Sequence, residues 1–378
     1  MKHLLQIFLA SLLIVGSVFS GADAKVSSNA YQVTPIPPLR ADKLFCFDGI
    51  SAAVPEKKNH QGSNTQEDNQ QTQAPDSQGD VTIKPEQIYI YNTKTQSRLC
   101  IDLTEYLVGV LAAEMPASYS LEALKAQAVA ARTYLYYKMG KGGCARYEPN
   151  CACCTFSGHC QGYLSKNERR TRWGEQFAKY EQKLLDAVEQ TAHECLFYNG
   201  KIVNAMYHSS SAVSTEDYHS LYGTDRVEYL QSVSTPDNKA DITTTKEMKI
   251  AEFINAFKNY PNNGLTTVNV KDEVYISSYT DGARADKVRV GYYELSGVEF
   301  KNLFSLRSTH FEITATPRKV VITCYGHGHG IGMSQLGANV MALNGKNYKE
   351  ILLHYYRGTA VKQCHFSDFD AYLEKSQK

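Results

Sequence analysis

Between residues 102 and 135 apolar positions recur three and four apart, and Pro116 interrupts them. Tyr106, Leu107, Val110 and Leu111 make one stripe; Leu121, Leu124, Ala128, Ala131 and Leu135 make the next. This spacing predicts two helices that pack as neighbours, because the connection between them is so short. Asp102 with Glu105 three places on is a capping-box start for the first helix, and Ser120 with Glu122 starts the second. Glu114 follows Leu111 and Val110 at helical spacing, so it shares the apolar stripe. The helical period returns over residues 169–195, with Trp173, Phe177, Tyr180, Leu184 and Val188. Residues 194–207 read as a hairpin turning at Asn199-Gly200. A helix over 249–258 and alternating strands over 287–293 and 319–325 follow. Ser334 caps a helix through Leu343 that Asn344-Gly345 ends, and Tyr348, Ile351, Leu352 and Tyr355 mark another. The expected class is α+β, with a helical region carrying Glu114 packed against a mixed, strand-rich second half around one groove.

The two ends depart from this pattern. An apolar run from Leu4 to Phe19 follows Lys2, and Ala22-Asp-Ala24 offers a cleavage site, so residues 1–24 read as a signal anchor or a cleaved signal peptide. Residues 56–86 are dominated by Gln, Asn, Ser and Asp, which cannot bury a core. Residues 25–85 are therefore expected as a disordered tether, 86–365 as the folded catalytic region and 366–378 as a tail. The formal net charge of +1 leaves no broad basic field, which excludes a nucleic-acid binder. No internal repeat suggests a solenoid.

Four features are candidates for chemistry. A carboxyl sheltered among apolar groups keeps its proton to higher pH, so Glu114 suits a general acid; the plain alternative is an exposed glutamate in a last helical turn. Half of the 10 cysteines fall at Cys144, Cys151, Cys153, Cys154 and Cys160. Cys154, His159 and Cys160 can converge on a tetrahedral zinc from one loop, with Glu148, Cys144 or Cys151 as the fourth ligand, and disulfides are the rival reading. His327 and His329 alternate with glycines; in an extended loop they would point to one side, towards a metal or a sugar. The serines at 209–211 lack a Gly-x-Ser-x-Gly elbow, which favours ligand hydrogen bonding over acyl chemistry.

The wording Glu105-Tyr-Leu-Val-Gly-Val-Leu-Ala-Ala-Glu-Met-Pro116, then Leu121-Glu-Ala-Leu-Lys-Ala-Gln-Ala-Val-Ala-Ala-Arg-Thr-Tyr134, closely resembles the stage II sporulation protein D family of peptidoglycan lytic transglycosylases. Tyr207-His-Ser-Ser-Ser211 with Thr215, Leu306-Arg-Ser-Thr309, and Gly326-His-Gly-His-Gly-Ile-Gly-Met-Ser-Gln-Leu-Gly-Ala338 extend the resemblance in family order. Cys154, four residues, then His159-Cys160-Gln161 matches a run that holds structural zinc in some members. Where the family usually carries two glycines after its serines, this chain has Ala212 and Val213. The resemblance implies that Glu114 is catalytic and that Gln127, Arg132, Tyr207, Ser209, Ser211, His327, His329 and Gln335 contact substrate. It also implies that no cofactor serves catalysis itself.

The implied reaction needs one carboxylate: Glu114 protonates the glycosidic oxygen, then takes the proton of a muramic hydroxyl as a 1,6-anhydro ring closes. The implied partners are peptide-stripped glycan strands, a cell-wall amidase and a membrane-anchored septal complex that drives engulfment during sporulation. The expected location is the extracytoplasmic face of the membrane, or secretion if the signal is cleaved. Related proteins are regarded as amidase enhancers, so a glycan-binding module that cuts nothing stands as the alternative. A thiol hydrolase built on Cys154 or Cys160 would require that cysteine to be free and reactive.

Overall fold

A computed structural model describes residues 86–148 and 150–369. The expected signal segment at 1–24, the expected tether at 25–85 and the end of the expected tail lie outside the described residues. Within them, no helix is long and apolar enough to cross a membrane.

The amino-terminal strands β1 (Gln87–Asn92) and β2 (Ser97–Asp102) form an antiparallel pair and deliver the chain into helix α1 (Leu103–Glu114). Asp102 caps α1 by accepting from the Glu105 N–H at 3.1 Å. The reciprocal half of the expected capping box is missing because Glu105 pairs with Arg169 instead, at 2.8 and 3.0 Å. Pro116 separates α1 from α2 (Leu121–Gly140). Ser120 precedes α2 without a side-chain cap bond; its own N–H donates to Asn339 Oδ1 at 2.8 Å. The alanines of α2 are buried against protein, since α1, a later helix pair and a strand all pack on it.

After the short strand β3 (Cys153–Cys154), which extends the first sheet beside β1, the expected helix over 169–195 is divided. Gly174, at φ 49°, separates α3 (Lys166–Trp173) from α4 (Phe177–Glu189) by a 3-10 turn. The hairpin of β4 (Glu194–Tyr198) and β5 (Lys201–Ile202) turns at Asn199 and Gly200, with φ of 47° and 75°, the left-handed pair that a tight hairpin requires. Strand β6 (Tyr207–His208) and helix α5 (Tyr218–Tyr222) follow.

The chain then leaves for a strand-rich insertion. It contains β7 (Thr243–Lys249), α6 (Ile250–Ala256), α7 (Val270–Glu273), β8 (Val274–Tyr279), β9 (Ala285–Val290), β10 (Tyr293–Ser296), α8 (Gly297–Leu303), β11 (Phe311–Ala315) and β12 (Lys319–Tyr325). Its sheets run β10-β9-β8 and β11-β12-β7 and enclose their own core around Phe253, Phe257, Phe300 and Phe304. The insertion closes where the Gly326 N–H meets the Ile242 carbonyl at 3.0 Å.

Strand β13 (Met333–Ser334), helices α9 (Gln335–Leu343) and α10 (Tyr348–Tyr355) and strand β14 (Ala360–Gln363) return to the first core. The fold is thus mixed α and β, with helical and sheet-rich regions. The strand-rich part is an insertion rather than the whole second half, because α9 and α10 pack on α2. Beyond β14, Phe366–Phe369 forms a 3-10 turn whose Phe366 is buried near Tyr136.

Candidate functional site

Glu114 ends α1, half-buried, on the rim of a cavity of about 160 Å³. Tyr134, Gln161, Tyr207, Tyr222 and His329 share that lining, with His159 and Cys160 at one edge. Among the described residues, Glu114 is the one carboxylate that lines it. Burial pushes its carboxyl above the ordinary range, and hydrogen bonds from the Gly162 backbone and the Gln335 side chain partly offset this. The Gly162 N–H donates to Glu114 Oε1 at 2.5 Å. A Cβ at Gly162 would lie 2.9 Å from that oxygen and 3.2 Å from the Ala113 Cβ, so the approach requires glycine. Gly109, one turn earlier on the helix, admits Tyr163 and the Leu164 backbone in the same way.

Gln335, the first residue of α9, donates to Gln127 Oε1 at 3.4 Å beneath Glu114. Gln127 is fully buried, so it supports the site from below. Arg132 lies elsewhere: its guanidinium donates to the Val188, Thr191 and Glu194 carbonyls at 2.7 to 3.2 Å, and it is 3% exposed. It closes the end of α4 onto β4. Tyr207 faces the cavity and donates to Gln161 Oε1 at 2.6 Å.

The glycine and histidine loop is not extended. Gly326, Gly328, Gly330 and Gly332 all have positive φ, from 71° to 104°, so the loop coils. His329 reaches the Glu114 cavity, whereas His327 is exposed and outside that lining, and its backbone pairs with Ser210. His329 Nδ1 accepts from the Ile331 N–H at 3.0 Å. Burial and the Arg284 charge lower its pKa to about 4, so it is a neutral ring with a set tautomer rather than an acid or base at neutral pH.

Ser209 is exposed and Ser211 is fully buried. Ser211 Oγ bonds His208 Nε2 at 2.6 Å and accepts from Arg284 at 2.7 Å, while its N–H donates to Asp237 at 2.8 Å. Asp237 also accepts from Ser334, the cap of α9, at 2.7 Å. This buried polar network fixes the loop and Gln335 together; His208 belongs to the serine-rich motif, whereas the sequence offered no signal for Asp237 or Arg284. Val213, standing where glycine is expected, adopts φ 67°, a conformation that costs a β-branched residue about 1–2 kcal/mol.

Next to the cavity, Cys144, Cys154, His159 and Cys160 bring their ligand atoms within 4.8 Å of one another. His159 Nδ1 lies 3.6, 3.5 and 3.3 Å from the sulfurs of Cys144, Cys154 and Cys160, and the Cys144 and Cys160 sulfurs are 3.9 Å apart. Donors about 2.3 Å (sulfur) and about 2.0 Å (nitrogen) from a tetrahedral zinc have edges of this size. The fourth member is Cys144, while Cys151 and Glu148 stay outside the cluster. The described cysteines are free thiols, and 3.9 Å is far from a disulfide bond. Hydrogen bonds, that of Cys144 foremost, hold the Cys160 thiol well below its usual range, which favours a thiolate donor.

A family model described as stage II sporulation protein matches residues 91–198. The chain is 34% identical over 305 residues to stage II sporulation protein D of Bacillus subtilis (strain 168), covering 80% of this chain and 85% of that protein. It is 32% identical over 293 residues to the protein of the same name from Bacillus amyloliquefaciens, covering 77% and 81%. An amidase enhancer of Bacillus subtilis (strain 168) is 30% identical over 304 residues, covering 68% of this chain and 40% of that protein.

Proposed function

The chain belongs to the stage II sporulation protein D family, and from that premise we propose that it is a lytic transglycosylase of peptidoglycan. In this reading it cuts peptide-stripped glycan strands, leaves 1,6-anhydromuramic ends, and acts on the extracytoplasmic side in septal remodelling and engulfment beside an amidase. The observation that carries the reading is the single carboxylate of the cavity, half-buried and biased towards its protonated form. Glycosidases that use water or a covalent intermediate employ two carboxylates. A lytic reaction needs one, because the attacking hydroxyl belongs to the sugar itself.

Glu114 donates its proton to the glycosidic oxygen as the bond from that oxygen to C1 of the muramic sugar breaks. The carboxylate so formed takes the proton of the C6 hydroxyl while the C6 oxygen bonds to C1, which restores the acid. The Gly162 N–H steadies the carboxylate between the two steps, and Gln335 orients it. Tyr207, Tyr134 and the neutral His329 position the sugar. Cys144, Cys154, His159 and Cys160 fit a structural zinc, whose charge would cross-link the loop that presents Gln161 and Gly162.

A second reading draws on the similarity to the amidase enhancer: a glycan-binding module that stimulates an amidase and cuts nothing. Incubation of the soluble protein and of Glu114→Gln with peptide-stripped strands separates the two. Anhydro ends from the unsubstituted protein alone support catalysis; amidase stimulation that survives Glu114→Gln, with intact glycan throughout, supports the enhancer.

A further inference from the structure

We infer that Cys195 and Cys364 are a cross-linking site, joined by a disulfide once the chain has left the cytoplasm; this rests on the extracytoplasmic location proposed above. Both are thiols in the structure, and both are buried. Cys195 lies on β4, and Cys364 follows the last residue of β14. The two strands pair antiparallel, with Lys362 opposite Cys195 and Gln363 opposite Glu194. Successive side chains of a strand alternate in face, so Cys364, two places after Lys362, falls on the Cys195 side of the sheet. The Cys364 N–H carries the pairing one step further by donating to the His193 carbonyl at 2.7 Å. The two thiols are hydrogen-bonded to each other. The His193 and His365 rings, 5.1 Å apart, join the flanking residues of the same two segments.

A cysteine pair in a chain that already holds a metal-type cluster could serve a second ion, and the donor count decides against it. Among the described residues, Cys144, Cys154, His159 and Cys160 are the one group of three or more potential ligands. Cys195 and Cys364 therefore lack the further donors that zinc takes up, whereas a disulfide needs only the two sulfurs. The local electrostatics suit thiol exchange. Hydrogen bonding from Cys195 holds the Cys364 thiol below its usual range against the effect of burial, and the Arg132 charge acts in the same direction. Burial pushes the Cys195 thiol up, and its bond to Cys364 adds to this. Cys364 is thus the attacking sulfur and Cys195 the partner that keeps its proton until the second step.

The oxidant is itself a disulfide, that of a thiol–disulfide oxidoreductase or of oxidised glutathione. The Cys364 sulfur gives up its proton and attacks one oxidant sulfur; the oxidant's S–S bond breaks, and its other sulfur leaves as a thiol. The Cys195 sulfur then gives up its proton and attacks Cys364, displacing the remaining oxidant sulfur as a second thiol. Two electrons and two protons pass from the cysteines to the oxidant, and one S–S bond replaces another. Both sulfurs are shielded in the finished fold, so the exchange belongs to the stage at which β14 docks on β4. The link closes a ring of chain from 195 to 364 that contains the strand-rich insertion and the glycine and histidine loop. So long a ring removes much of the freedom of the unfolded chain and keeps the carboxyl-terminal strand on the body.

The test maps thiols in the whole chain, from cells quenched in acid, denatured in an alkylating reagent with a chelator and digested. Mass spectrometry should find Cys195 and Cys364 in one linked peptide pair, about 2 Da lighter than the two thiol peptides and separated by reductant. Cys144, Cys154 and Cys160 should be alkylated. Refolding the reduced chain with zinc in glutathione buffers should close the same link, which should persist with reduced glutathione in about hundredfold excess. The linked form should melt about 5 °C above the reduced form, and Cys364→Ser should abolish both the linked peptide and that difference. Free Cys195 and Cys364 after refolding in oxidising buffer, or linkage of either to another cysteine, overturns the inference. A link that closes in buffer while both thiols stay free in the chain from cells would refute the outward location and leave the cross-linking site standing. None of these outcomes depends on whether the chain cuts glycan, which the assay for anhydro ends reads separately.

Discussion

A carboxyl that gives up a proton and then recovers one needs shelter for its neutral form and a donor for its anion. Glu114 has both, in the apolar packing of α1 and in the Gly162 N–H at 2.5 Å. The second requirement makes Gly162 as particular as the acid. Gly162→Ala would press a methyl against Glu114 Oε1 and Ala113, and we expect anhydro-product formation to fall on the order of tenfold or more with the thermal melt little changed. Rate measurements on folded variant protein check this. Helical spacing made the place of Glu114 beside the apolar stripe of α1 legible in the sequence, while its assignment as the acid came from the family resemblance. Gly162 was not, since its role depends on a contact across 48 positions of chain that no local period records. His327 and His329 were legible as a motif, but the loop coils at four positive-φ glycines instead of running extended, and of the two only His329 lines the cavity.

At the scale of elements, the site is a loop and two helix ends pressed together. The loop through residues 144–160 is held by the Cys144, Cys154, His159 and Cys160 cluster, and Gln161 and Gly162 follow directly. Metal analysis of the purified protein should find one zinc per chain. A chelator should raise hydrogen exchange over 144–162 and lower activity, whereas retained protection after metal loss would refute the role given to the cluster. Arg132 ties α2 to α4 and β4 by three carbonyl contacts. Arg132→Met leaves those carbonyls without their donor and should cost about 3 kcal/mol of stability, read by denaturant unfolding, without a specific loss of glycan affinity. Helix starts and stops at Asp102, Pro116, Ser334 and Gly345 were readable because caps and breakers act locally. The break at Gly174 was not, because the apolar stripe from Trp173 to Val188 continues across it.

Over the whole molecule, the strand-rich insertion and the helical body meet through buried polar groups, and two of the histidines there are held neutral. His329, facing Arg284 and Lys301, and His310, facing Arg284, Lys239 and Glu312, each have a pKa lowered to about 4, burial being the first cause. An unfolded chain takes up these protons near 6.5 and the folded one does not. Stability from this source is therefore complete above about pH 6.5 and is lost as pH falls towards 4. Thermal melts across that window should fall with pH, and less steeply in His310→Asn. That two-core arrangement was only partly readable, since the return of α9 and α10 to the first core is a long-range event. The claim on which the account turns is that the muramic hydroxyl, not water, completes the cut at a single carboxylate. Digestion of stripped strands in heavy-oxygen water measures it directly: the account predicts anhydro ends without the label, and label at newly formed reducing ends would contradict it.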